Sequence, residues 1–390
     1  MLRSALVKRS GRHMAPRPFG VHVVISLAST PFSMRELDRI RHALSAASGR
    51  RESVVLVTVM AVEGSVYRGA GARMIVTASG DTVGAVSGGC LEADIVARAP
   101  DVLAAKRTEL VRYDTRSSDE AVLGLGMGCQ GIIDVLLEPL SGATLDDAIA
   151  FYQRIAVRRD AVTLVTLLRP TPSAPPVGTR LLLDEDDNII EGDRALLEYE
   201  NDVAREVIRP PTRLVICGGG TDALPLARLA KLMGWQVTVV DHRASFATSA
   251  RFPDADAVVC ANLSLDADAL GGRVPIDERT MAVVMAHSAS HDRAYLHAML
   301  DAGVGYIGAL GPRRRTVELL GERCAGPDST LPPSVHSPAG LDLGAETPEE
   351  IALSIVAEIA AVNAGRAAGM LRDRRGPIHD RPGHRAEVDA

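Results

Sequence analysis

Apolar and polar positions change period several times along this chain, and each change predicts an element. From Met34, MRELDRIRHAL places apolar residues three and four apart, the spacing of an amphipathic helix. ESVVLVTVMAVEGS follows as a β-branched run broken by Gly-Ser. RMIVTA, the turn SGDT and VGAVSGG then predict a hairpin. LEADIVARA returns to helical spacing, with Leu91, Ile95 and Val96 on one side. GLGMGCQGIIDVLLEPL predicts a glycine-rich loop feeding a strand, TLDDAIAFYQRIAV a helix capped by Thr144, and AVTLVTLL and RLLLDEDDNII further strands. The polar stretch LLEYENDVAREV has helical spacing, and the paired prolines of IRPP end it.

Beyond the prolines, TRLVICGGGTDALPLARLAKLMGWQVTVVDHR gives a strand, a glycine turn, a helix stopped at Gly234 and a second strand, which is a βαβ unit. DAVVC, MAVVMAH and GYIGAL continue a parallel sheet. ETPEEIALSIVAEIAAV predicts a helix with Thr347 as cap, Pro348 first and Glu350 reaching back. The expected fold class is α/β: an N-terminal α+β domain over residues 34–200, a linker at 201–211, and a C-terminal Rossmann-like parallel-sheet domain over 212–365. Residues 1–33 are basic, carry no acid before Glu36, and contain the short apolar run VHVVISLA. They are expected to be a disordered extension or a misassigned start, an export signal being the alternative. Residues 366–390 are expected to be a disordered charged tail.

A length of 390 residues suits two or three domains, and 46% apolar residues suffice for buried cores. The net charge of -6 argues against nucleic-acid binding by bulk charge. No apolar run approaches the roughly 18 residues of a membrane helix. The five cysteines, Cys90, Cys129, Cys217, Cys260 and Cys324, are odd in number and never spaced C-x-x-C. That pattern gives no support to a disulfide framework or a cysteine-rich zinc site, and it suits a reducing cytoplasm.

Candidate chemistry gathers at glycines. In GAVSGGCLEADIV, Gly88, Gly89 and Cys90 sit at the mouth of a helix, where partial positive charge favours a thiolate. Cys129 lies in GMGCQG ahead of a strand. Each cysteine is either a poised sulfur or a small buried residue. Gly218, Gly220 and Ala223 match G-x-G-x-x-A, glycines that let a pyrophosphate approach while N–H groups at 221–223, beginning with Thr221, receive its charge. Asp241 closes the second strand at the distance where an acid meets a ribose 2′-hydroxyl, and Arg243 leaves a phosphorylated ribose open. At the carboxyl ends of later strands stand His287, either ligand-facing or a capping residue, and Arg313, Arg314 and Arg315, which either cradle a phosphate or open a solvated helix. Cys217, Cys260 and Cys324 are expected to be structural. No tyrosine has a lysine four residues on and no H-E-x-x-H occurs, so the equipment of a short-chain dehydrogenase or a zinc protease is missing.

Over about residues 50–365 the sequence resembles the XdhC/CoxI family, accessory factors of xanthine dehydrogenase and related molybdenum hydroxylases. The resemblance is carried by VTVMAVEGSVYRGAGARMIV, GAVSGGCLEADIV, GLGMGCQGIIDVLLEPL, the CGGGTDALPLARLAKLMGWQVTVVDHR unit, YIGALGPRRR and HSPAGLDLGAETPEEIALSIVAEI, in that order. It implies a chaperone more than a turnover enzyme. Such a protein binds the molybdenum cofactor, as molybdopterin or its cytidine dinucleotide, protects it, supports its sulfuration by a cysteine desulfurase, and delivers it to an apo molybdenum hydroxylase. On this resemblance Cys90 and Cys129 ligate molybdenum or hold sulfur as a persulfide, and a homodimer is allowed. The chain departs from the family pattern at Thr221, where members usually carry histidine, and at Ser288, where they carry an acid. Both departures bear on the cofactor form and on affinity. The residues also leave open an NAD(P)-dependent oxidoreductase, which the glycine fingerprint suits equally, and a thiol redox or persulfide sensor built on Cys90 and Cys129.

Overall fold

Among the described residues the chain forms three sheets, two from strands up to Ile208 and one from strands after it. The computed structural model describes residues 26–27, 34–115, 130–169, 174–199, 202–263, 270, 272–324 and 330–375.

The first sheet is centred on β2 (Val54–Ser65), which pairs antiparallel with β3 (Arg73–Thr77) and β6 (Gln130–Leu140). β4 (Thr82–Gly84) lies outside β3, and β5 (Glu109–Asp114) outside β6. Alternation along β2 sorts its side chains onto two faces. Val55, Val57 and Val59 pack with Ile95, Ala99 and Val102 of α2 (Glu92–Ala105). Val54 and Leu56 pack with α1 (Met34–Gly49) and α3 (Ala143–Ala156).

The second sheet runs β1 (Ser26–Leu27), β10 (Val203–Ile208), β7 (Val162–Leu167), β8 (Arg180–Leu183), β9 (Ile189–Gly192). The observed organisation departs from the expected one in four places. Val203–Ile208, assigned from sequence to a polar helix and then the linker, is a strand paired with β7 along its whole length. Its Glu206 meets the fully buried Arg73 of β3 in a two-pronged ion pair, at 3.0 and 2.6 Å, between the two sheets. Pairing and this buried charge outweigh a local helical spacing, so the first domain reaches Ile208 and the connector shrinks to 209–212. Within the expected extension, Ser26 and Leu27 pair parallel with Arg205 and Glu206. Before β10, among the described residues of that stretch, Arg194–Glu198 coils as a 3₁₀ turn whose Asp193 accepts from the Ala195 N–H. Within the expected tail, Leu371–Asp373 forms an exposed 3₁₀ turn, and residues beyond 375 lie outside the described residues.

The third sheet is parallel, in the order β13 (Ala257–Cys260), β12 (Gln236–Asp241), β11 (Arg213–Cys217), β14 (Thr280–Val284), β15 (Tyr306–Ala309), β16 (Val335–His336). Its central strands are near-continuous apolar runs because both faces are covered. α4 (Ala223–Leu232) and α7 (Pro348–Asn363) cover one face; α5 (Ala289–Asp301) and α6 (Arg313–Leu320) cover the other. Thr347 and Glu350 form the expected capping box on α7. The strand order reverses between β11 and β14, and the crevice beyond their carboxyl ends is where such sheets hold ligands.

Polar side chains join the two domains. Arg159 donates to Asp277 at 2.7 Å and to the Pro211 carbonyl, and Arg279 pairs with Glu185 at 2.6 Å while donating to the Arg159 carbonyl.

Candidate functional site

The glycine turn after β11 lies in the β11–β14 crevice. Gly218 has φ +124, and a Cβ there would stand 2.5 Å from the Met285 carbonyl oxygen, so only glycine lets the turn lie against the strand beside it. At Gly219 a Cβ would come within 2.8 Å of the Phe246 carbonyl. Gly220 is different. A Cβ here would make only ordinary contact with the His287 ring, at 3.7 Å, so packing does not require glycine at this position. A side-chain-free backbone at the start of α4 lets a phosphate group approach the turn closely. Thr221 is exposed on the same turn.

His287 ends the β14 segment in the left-handed region, φ +56, a costly conformation for a non-glycine residue and one that is concentrated at functional sites. Its Nε2 lies 3.2 Å from Asp222 Oδ2 at the head of α4, and its ring is 58% exposed. Beside it is a cavity of about 280 Å³ lined by Met285, His287, Asp292, Leu310, Gly311 and Arg315. Arg315 enters this cavity from α6 and pairs at 2.5 Å with the buried Asp292, whose other oxygen accepts from the Ala286 N–H. Arg314 points outward to Glu318, and Arg313 is exposed. Of the three arginines, the structure brings only Arg315 to the cavity with His287.

On the β12 side the carboxylate of Asp241 is fully buried. It accepts from the Gly219 N–H at 2.7 Å and from the backbone, Nε and Nη2 of Arg243 at 2.8, 2.9 and 2.8 Å. Burial works against its charge, but the bonds from Arg243 and Gly219 outweigh it and hold the carboxyl down at about 2. Nearby, His242 and His291 stack with ring centroids 3.6 Å apart, and burial together with His291 lowers the pKa of His242. Ser288, the departure noted above, lies 2.9 Å from Nδ1 of His291.

The Cys90 loop is built otherwise. α2 begins at Glu92, so Cys90 stands two residues before it, half-buried and unbridged. Glu92 folds back to accept from the Val86 and Ser87 N–H groups at 3.2 and 2.8 Å and from the Ser87 hydroxyl. Ser87 Oγ accepts from the Gly89 and Leu91 N–H groups, both at 3.1 Å. Burial pulls the Glu92 carboxyl up, but the bonds from Ser87 and the backbone outweigh it and lower its pKa. A carboxylate of the chain itself thus pins the loop N–H groups just ahead of α2. Gly88 is exposed and faces the ring of Tyr67. Cys129 lies outside the described residues. Among the described residues no group of three or more His, Cys, Asp or Glu is arranged to hold a metal ion. Cys217 is fully buried, which pushes its thiol up; Cys260 is exposed and Cys324 half-buried.

Sequence reasoning missed Asp222, Asp292 and the Ser87–Glu92 clasp. The last had a visible signal, a serine five residues before a glutamate at a helix start. Asp222 and Asp292 had none, because their partners lie 65 and 23 positions away.

The family model described as the XdhC Rossmann domain matches residues 214–359, and that of the XdhC and CoxI family matches residues 47–114. The chain is 33% identical over 330 residues to a Bacillus subtilis (strain 168) protein named as a probable xanthine dehydrogenase subunit, covering 79% of this chain and 93% of that one. It is 25% identical to the molybdenum cofactor insertion chaperone PaoD of Escherichia coli (strain K12), over 80% of this chain and 84% of that one. A crystal structure of a xanthine dehydrogenase from Bacillus halodurans superposes with a TM-score of 0.71 at 29% identity, covering 85% of this chain and 98% of that one.

Proposed function

The chain belongs to the XdhC and CoxI family, and from that premise we propose that it is an accessory factor that receives the molybdenum cofactor as cargo and hands it to an apo molybdenum hydroxylase of the xanthine dehydrogenase type. The observation that carries this reading is Gly220, a glycine that packing does not require, beside His287 at the start of α4 and at the switch point of the sheet. A backbone without side chain there lets the phosphate end of a pterin cargo approach closely. His287, held by Asp222, meets Gly220 and also lines the cavity that Arg315, held by Asp292, enters, and in this reading the two side chains orient the cargo. Between molybdopterin and its cytidine dinucleotide, a turn of this kind favours the form with a pyrophosphate.

Cys90, a free half-buried thiol, serves as the sulfur-handling group in this reading, together with Cys129. In that step a cysteine desulfurase persulfide gives its outer sulfur to the Cys90 thiolate; the donor leaves as a thiol and Cys90 becomes a persulfide. The protein works in the cytoplasm, where such thiols persist. No described helix is long and apolar enough to cross a membrane.

The test is the pterin content of protein purified from a host that makes the cofactor, released by oxidation to its fluorescent product and measured beside a mock purification. We expect signal at up to one equivalent per chain. Fluorescence no higher than the mock would remove the cargo reading.

A further inference from the structure

Asp241 stands where the carboxylate of a dinucleotide-binding βαβ unit takes the two hydroxyls of a ribose. An ionised carboxylate offers about four lone-pair sites. Here four donors fill them: Gly219 N–H and Arg243 Nη2 on Oδ2, and Arg243 N–H and Nε on Oδ1. Two of the four come from the guanidinium fork, one to each oxygen, which is the pattern in which a vicinal diol would bind. The other two are backbone groups that fix the carboxylate in place whatever the arginine does.

The fork is itself held down. The guanidinium carbon of Arg243 lies 3.7 Å from the centroid of the Phe246 ring, within cation–π reach. Arg251 lies 4.9 Å from the same ring and donates through Nε to the Gly219 carbonyl at 2.9 Å. The Phe246 carbonyl closes on Gly219, so the segment after β12 folds over that side of the turn. On the opposite side Gly220 meets only the ring of His287, which in turn lines the cavity that Arg315 enters.

We propose that Arg243 is a built-in substitute for the ribose diol: it occupies Asp241 so that the turn rejects NAD(H) and admits a phosphorylated ligand only from the β14 side, past Gly220 and His287. This rests on the reading that the turn receives a phosphorylated cargo. Arg243 is thus a specificity residue, and Asp241 a positioning residue that ties the glycine turn to it. A ribose 2′-hydroxyl reaches Asp241 only by displacing a charged, forked and stacked partner, exchanging an ion-paired fork for a bond from a neutral donor.

NADH fluorescence titrations of the full chain test the proposal. The wild-type protein should show no saturable binding at millimolar NADH. Arg243→Ala frees one acceptor site on each carboxylate oxygen and leaves the two backbone donors, so it should bind NADH saturably, at least about ten-fold more tightly than the wild-type limit. Adding Asp241→Asn should abolish that gain. Circular dichroism and thermal melting establish folding, and Arg243→Met, which keeps apolar contact with Phe246 and removes the donors, stands in if the alanine variant does not fold. Saturable NADH binding by the wild-type protein overturns the proposal, and so does failure of the folded Arg243 variants to bind it. The pterin assay is separate: a wild-type protein without pterin removes the cargo reading and leaves the NADH result to be judged by itself.

Discussion

The Cys90 loop and the turn at 218–220 are both rich in glycine, both lead from a strand into a helix, and both looked from sequence like anion sites. They differ in what fills them. In the first, the side chains of Ser87 and Glu92 accept from the N–H groups of Val86, Ser87, Gly89 and Leu91. In the second, Asp241 binds the Gly219 N–H from behind, and Gly220 meets only the His287 ring, at contact distance. Neither α2 nor α4 starts with a side-chain cap, so the difference lies in the loops ahead of them. The same loop composition produces a clasp closed by its own side chains in one domain and a turn without such a clasp in the other.

Breaking the turn itself should have the largest effect. Gly218→Val puts a branched side chain at φ +124 and against the Met285 carbonyl, and should cost more than about 4 kcal/mol, leaving little folded protein in a urea titration. A variant with wild-type midpoint would mean the turn tolerates a side chain and is not a close approach.

Asp241→Asn is expected to cost about 3 kcal/mol, from a carboxyl held at about 2 when folded against about 4 when unfolded. Because the folded value is the lower one, this contribution is complete above about pH 4 and is lost as the pH falls toward 2. Wild-type and variant melting temperatures should therefore converge across that interval. Parallel curves would show that the charge of Asp241 does not hold the turn.

Glu92→Ala opens the clasp and should cost about 1–2 kcal/mol for the N–H groups left without their acceptor. With the carboxylate gone, iodoacetamide should alkylate Cys90 faster than in wild type, as timed mass spectrometry would show. An unchanged rate would mean that Glu92 does not screen the thiol from the helix.

Gly220→Val is the sharpest contrast with Gly218→Val. It should shift stability by only about 0.5 kcal/mol, since its Cβ makes only ordinary contact with the His287 ring, yet lower the pterin retained on purification by blocking the backbone approach. Full retention in a folded variant would place the cargo elsewhere.

Most of the fold was legible where its signals are local. The βαβ unit follows from a strand, a glycine spacing and an acid within about thirty residues, and the capping box of α7 from four consecutive ones. β10 was not legible, since its identity depends on pairing with β7 and on Arg73, 133 positions from Glu206. The site was half legible. Glycine spacing located the turn, and the carboxyl ends of the strands located His287 and the arginines. Which arginine enters depends on the rotation of α6, and Arg315 does so while Arg313 and Arg314 face solvent. That Asp241 is consumed by Arg243 depends on one side-chain conformation, which no sequence period encodes.

The seam between the domains has a further consequence. Arg159, Asp277, Arg279 and Glu185 each keep between 29 and 41% of their side-chain surface in solvent, and exposed pairs weaken as ions accumulate around them, over a screening length of about 8 Å at physiological strength that shrinks to about 3 Å in molar salt. The joint is thus expected to weaken as salt rises, while each half keeps its own core.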